Sequence, residues 1–264
     1  MFTVTLAVKI HKLVWPGLSP ATHISVKMLS SSRMSSVLQI RWVNPSGRLL
    51  SSVPTSDLVL TERKKKVTRL RMNNPKRLNG WTVTMLTSLF RTLDDLAEDE
   101  ETAVVVLTGT DPYYCAGASL SEHFKLMHPR KFHAFVAEQN ELLFGKFLNF
   151  PKPILIAANG PAVGGAVTSA LLCDGDSPAS LPQYNLLLVI SVGIIASEKA
   201  TFHANFKQLA VSAEGCSTVH FERIIGAEAA DKMLKQGIKI DAEEALKIGI
   251  IALVSVNVQI PIAF

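Results

Sequence analysis

Residues 153–167 read PILIAANGPAVGGAV. The run opens with consecutive apolar residues, the pattern of a strand buried on both faces. It breaks at Asn159-Gly160-Pro161, then sets Gly164-Gly165 in front of AVTSALLC, an apolar stretch long enough for a helix. A strand, a tight turn and a helix N-terminus in that order leave main-chain N–H groups pointing at whatever lies ahead of the helix. The nucleotide cradles built this way need GxGxxG or GxxxxGK[ST], and neither pattern is present. Two readings stay open. The glycine pair supplies half of an anion-stabilising pocket, or it lets the helix pack closely on the strand.

The same arrangement occurs once upstream. TAVVVLTG (102–109) is a β-branched apolar strand and DPYYCAGASL (111–120) a glycine-bearing loop, with a main-chain N–H on Ala118 just past Gly117. Two such turns in one sheet bring their N–H groups to the same rim, beyond the strands' C-terminal ends. Around them, LVL and VTRLRM predict a hairpin about the polar turn TERKKK, and NNPKRLNG (73–80) predicts a loop. Trp81 to Leu96 carries the apolar spacing of an amphipathic helix, and 121–148 is expected to be largely helical. GIIASEKATF predicts the next strand, AEAADKMLKQG and DAEEALKIG two short helices, and IIALVSV a final strand. Strands alternating with helices give an α/β class with parallel pairing. The stretch 175–192 interrupts this rhythm and is expected to be an insertion.

With 264 residues, 48% of them hydrophobic, the chain can bury a substantial core. The net charge of +5 is partly local. Residues 1–56 hold Lys9, Lys12, Lys27, Arg33, Arg41 and Arg48 but no acid, so the total charge is no argument for nucleic-acid binding. That leader is expected to be a transit peptide or disordered, outside a domain spanning 57–264. A mitochondrial location follows from it, with a peroxisomal one as the alternative. Cys115, Cys173 and Cys216 show neither disulfide nor metal spacing. The seven histidines, His123, His128 and His133 among them, form no HxH or HxxxH pair, so no metal is expected. The apolar run 186–196 is too short to span a bilayer.

NNPKRLNG, VVVLTGTDPYYCAGASL, KPILIAANGPAVGGAV, ASEKATF and AEGCS together resemble the crotonase (enoyl-CoA hydratase/isomerase) superfamily over roughly 58–255. The resemblance implies a spiral of ββα turns, a trimer or hexamer, an acyl-CoA thioester substrate and no separate cofactor, coenzyme A being part of the substrate. It implies that Ala118 and Gly165 donate N–H groups to the thioester oxygen. Ala116, Gly117 and Gly164 would shape that pocket, and Lys76 and Arg77 would meet the coenzyme A phosphates and adenine. The two glutamates of the hydratase branch fall on Thr168 and Phe206, neither of which can move a proton. Glu214, in AEGCS, resembles the single base of the Δ3,Δ2-enoyl-CoA isomerase branch. Isomerisation is therefore the leading expectation, followed by a catalytically silent acyl-CoA-binding or partner-binding variant and then by a hydratase. The resemblance also predicts helices after the last strand, so the C-terminal helical part is expected to be truncated.

Overall fold

The structure is a computed structural model that describes residues 57–123, 128–173 and 193–255. The leader 1–56, the insertion 175–192 and the expected truncation after the last strand lie outside the described residues. A six-stranded sheet carries the domain, in the order β1 (Val59–Lys64), β2 (Val67–Met72), β3 (Val104–Gly109), β4 (Ile154–Ala158), β6 (Ile194–Ser197) and β9 (Leu253–Ser255). All neighbours are parallel except the β1–β2 hairpin. The hairpin turn is tighter than expected, because Thr61–Lys64 belongs to β1 and only Lys65-Lys66 remain to turn. A charged edge strand looks like a polar loop in sequence, since charges on an edge discourage pairing with another chain. Glu62 accordingly pairs with Arg69 across the hairpin.

A second, smaller sheet consists of β5 (Ala162–Val163), β7 (Thr201–His203) and β8 (Ile240–Asp241). Two single pairings extend it, Cys115 with Ala162 and Trp81 with Ala118. Four successive segments, starting with β2, β3, β4 and β6, thus contribute first to the large sheet and then, a few residues on, to the small one and its extensions, before entering a helix. That sequence of steps is a ββα spiral, and it meets the expected fold class. The expected strand GIIASEKATF is consequently two strands, one in each sheet, separated by a turn in which Ala200 N–H donates to Ser197 O at 2.9 Å.

The helices are α1 (Val83–Glu98), α2 (Leu120–His123), α3 (Pro129–Leu148), α4 (Gly165–Leu172), α5 (Ser217–Leu234) and α6 (Ala242–Lys247). Trp81 lies outside α1, whose N-cap is Thr82; the Thr82 hydroxyl accepts from Met85 N–H at 3.1 Å. Met85, Leu89, Leu93 and Leu96 form the buried stripe of α1. Helix α4 is buried from Gly165 through Leu171, which explains its small residues and its lack of a polar face. Helix α5 starts ten residues earlier than the first of the two expected helices, and Gly226, at φ 79°, is a kink inside it. No helix among the described residues is long and apolar enough to cross a membrane.

Candidate active site

The spiral stacks three short segments at the carboxyl ends of the central strands: 115–118 after β3, 163–165 after β4, and the 204–216 segment between β7 and α5. The first is fastened by parallel pairing to Trp81. Trp81 N–H donates to Gly117 O at 2.8 Å and Ser119 N–H donates to Trp81 O at 3.1 Å. In a parallel pairing the opposed residue turns its own N–H the other way. Ala118 N–H therefore faces away from Trp81. Ala116 N–H donates to Leu78 O and Gly117 N–H to Cys115 Sγ, so those two residues offer a bound molecule shape rather than a donor.

The second segment is arranged likewise. Val163 N–H donates to Cys115 O and Gly164 N–H to His203 O at 2.8 Å. Gly164 adopts φ 58°, ψ −127°, a conformation that effectively only glycine takes up, and it caps α4. Gly165 is the first helical residue, where an N–H has no partner within its own helix. Among the described residues, neither Ala118 N–H nor Gly165 N–H donates to a protein acceptor. The two segments touch. Gly117 sits at φ 76°, and a Cβ there would run into the Val163 carbonyl oxygen and come within 3.7 Å of Gly165 N.

The third segment brings in the acid. A Cβ built on Gly165 would lie 3.1 Å from Glu214 Oε1 and 3.0 Å from Trp81 Cζ3. Glu214 is half-buried, and Gly215 (φ 65°) packs so closely on Thr168 that a Cβ would fall 2.7 Å from the Thr168 hydroxyl. Thr168 itself is buried and donates to Gly165 O at 3.1 Å. Phe206 is buried and carries no polar group. The structure thus brings Ala118, Gly165 and Glu214 to one place, with Thr168 beneath them.

Lys76 and Arg77 occupy a 3₁₀ turn (Pro75–Arg77) after β2 and are exposed. Arg77 pairs at 3.3 Å with Glu122, which also accepts the Val83 N–H at the start of α1. His128 caps α3 by accepting from Arg130 N–H, and His133 is exposed. Among the described residues no cluster of three or more histidines, cysteines or acids could hold a metal ion. Cys115 is buried, and burial pushes its thiol up to about 12. It stays protonated at neutral pH and is no nucleophile. Burial likewise raises Tyr114 well above the ordinary phenol value.

Two asparagines that read as turn punctuation in the sequence hold this rim together. Asn79, fully buried at φ 54°, donates from Nδ2 to Thr110 O and Tyr113 O at 2.7 Å and accepts from Asn74 N–H at 2.9 Å. Asn159 accepts from Gly109 N–H at 3.0 Å and donates to Asp111 and to Tyr113 O. Their flanks carry the only available signal, Asn-Gly after each strand, since asparagine tolerates positive φ and bonds nearby main chain. Asn79→Ala removes three hydrogen bonds and leaves a poor left-handed former in place. We expect it to lower the free energy of unfolding by about 3 kcal/mol, read by chemical denaturation.

Residues 62–261 match the family model described as "Enoyl-CoA hydratase/isomerase". The chain is similar to human "Enoyl-CoA delta isomerase 2" at 33% identity, covering 70% of this chain and 43% of that protein. It is similar to mouse "Enoyl-CoA delta isomerase 3, peroxisomal" at 31% identity, covering 73% and 55%. Among solved structures, an enoyl-CoA hydratase from Bacillus anthracis superposes with TM-score 0.63 at 25% identity, over 75% of this chain and 70% of that one. The chain therefore spans about half the length of these two isomerase relatives.

Proposed function

The chain belongs to the enoyl-CoA hydratase/isomerase family, and on that premise we propose that it moves the double bond of a 3-enoyl-CoA to the 2-trans position. The observation that carries this reading is the Glu214 carboxylate against Gly165, with Thr168 and Phe206 at the positions where the family resemblance puts the acids of a hydratase. Glu214 removes a proton from C2 of the acyl chain. The C2–H electron pair becomes a C1=C2 bond as the carbonyl electrons pass to the thioester oxygen, giving a dienolate that keeps C3=C4. The N–H groups of Ala118 and Gly165 receive that charge. A donor of this kind contributes roughly 3–4 kcal/mol to the transition state. The protonated Glu214 then returns its proton to C4, which restores the carbonyl and leaves the double bond at C2=C3. One residue thus serves as base and acid, and the enzyme ends as it began.

Gly117 and Gly164 keep the two donor segments in contact, Ala116 completes the loop, and Lys76 with Arg77 supplies positive charge for the coenzyme A phosphates. No cofactor beyond the coenzyme A of the substrate enters the reaction. A trimer or hexamer rests on the family resemblance, and light scattering reports it. The basic 1–56 segment supports a mitochondrial location and the name of the mouse relative a peroxisomal one; imaging the tagged full chain distinguishes them.

Two substrates separate the proposed reaction from its neighbours. The purified chain is expected to convert 3-enoyl-CoA to 2-trans-enoyl-CoA and to leave crotonyl-CoA unhydrated. Hydration at a comparable rate would reverse the assignment, and acyl-CoA binding without either reaction would point to a silent variant.

A further inference from the structure

The residue that meets both donor segments of this site is one that the proposed chemistry does not use. Trp81 is 1% exposed. Its main chain holds the Ala118 segment through two hydrogen bonds, and its indole reaches the other side of the site. The benzo edge, Cζ3 and Cε3, lies 3.0 and 3.7 Å from the point where a Cβ on Gly165 would be, the same point that Glu214 Oε1 approaches to 3.1 Å. One side chain therefore lies against the second donor, at a point the acid also approaches, while its backbone fixes the first. The indole Nε1–H, though buried, has no hydrogen-bond partner among the described residues. A buried donor without a partner is unfavourable, so the ring is not held here by its polar group. What holds it is apolar packing, since Trp81 belongs to the buried core and its benzo edge lies against Gly165.

We propose that Trp81 is a positioning residue, a wedge whose benzo edge sets the separation of the Ala118 and Gly165 amides from the Glu214 carboxylate and thereby requires glycine at 165. The catalytic half of this statement rests on the isomerase reading; the wedge itself does not. Contact between Trp81 and position 165 makes a definite prediction about coupling. An alanine at 165 meets the indole and the carboxylate at once, at separations tighter than ordinary contact. Phenylalanine at 81 keeps an aromatic ring and both main-chain hydrogen bonds but falls short of the benzo edge, leaving room for that methyl. Residues in contact give non-additive double mutants.

The test is the cycle of Trp81→Phe, Gly165→Ala and the double variant, read first by thermal unfolding. Gly165→Ala is expected to lower Tm in the wild-type background and to lower it less in the Trp81→Phe background, where only the Glu214 contact remains. Equal shifts in both backgrounds overturn the wedge whether or not the chain is an isomerase. In the isomerase assay, Trp81→Phe is expected to reduce kcat about tenfold with KM little changed, because a displaced donor–acid pair harms the transition state more than binding. An unchanged kcat in a protein that isomerises overturns the positioning role and leaves the isomerase reading intact. Should Trp81→Phe not fold, 5-fluorotryptophan carries the probe instead, since its fluorine sits on Cζ3. The fluorine spectrum of the labelled chain is expected to show one tryptophan resonance that moves on Glu214→Gln, and a spectrum in which none moves contradicts the contact.

Discussion

Glu214→Gln is expected to slow isomerisation by on the order of 10²–10⁴-fold, the range over which a positioned general acid–base accelerates proton transfer. The amide keeps the size of the carboxylate but cannot take the C2 proton. The loss should fall on kcat, with KM changed little, because the thioester contacts proposed for Ala118 and Gly165 are main-chain and would remain. Stability should hardly move, since Glu214 is half-buried and lies in the segment leading into α5 rather than in a core element. Steady-state kinetics and a denaturation curve on the same preparation check both halves. A variant that keeps full rate removes Glu214 from the mechanism, and one that unfolds assigns it to the fold.

Gly117→Ala comes next in size, and it acts through geometry. At φ 76° a side chain is strained whatever surrounds it, and here the new methyl also runs into the Val163 carbonyl oxygen. Strain of this kind costs about 1–3 kcal/mol and overpacking a similar amount. We therefore expect a stability loss of about 2–4 kcal/mol, with the 115–118 segment pushed off β5. Ala118 N–H moves with it, and a displacement near 1 Å at such a donor can lower the rate by about 10²-fold. Gly145→Ala is the matched control. Gly145 lies inside α3, its Cβ would meet nothing closer than Asn149 Nδ2 at 3.7 Å among the described residues, and alanine should be neutral or stabilise the helix by up to about 1 kcal/mol.

The parts of this site that could be read from sequence are those written in glycine and apolar runs. VVVLTG and ILIAA form the central parallel strands, and the turns after them face each other as the spacing implies. The 3.6-residue stripe of α1 is equally plain. The sequence is ambiguous where one local signal serves two purposes. The charges of β1 mark an edge strand and have the composition of a turn. Ser197-Glu198-Lys199-Ala200 turns the chain from one sheet to the other inside what looks like a single strand. Gly226 bends α5 where a glycine more often ends a helix. Trp81 fits the apolar spacing of α1, yet it precedes the cap and belongs to the site, because its partners at 117–119 and 165 are remote in sequence. Asn79 gives no local sign of burial; its hydrogen bonds to Thr110 O and Tyr113 O exist only once β3 is in place.

A crystal structure with a bound acyl-CoA that cannot isomerise would test the convergence of these groups directly. The thioester oxygen should lie within about 3 Å of both Ala118 N and Gly165 N, with a Glu214 oxygen facing C2 and C4. A thioester oxygen that meets only one of the two amides, or an acyl chain that runs away from Glu214, would contradict the account.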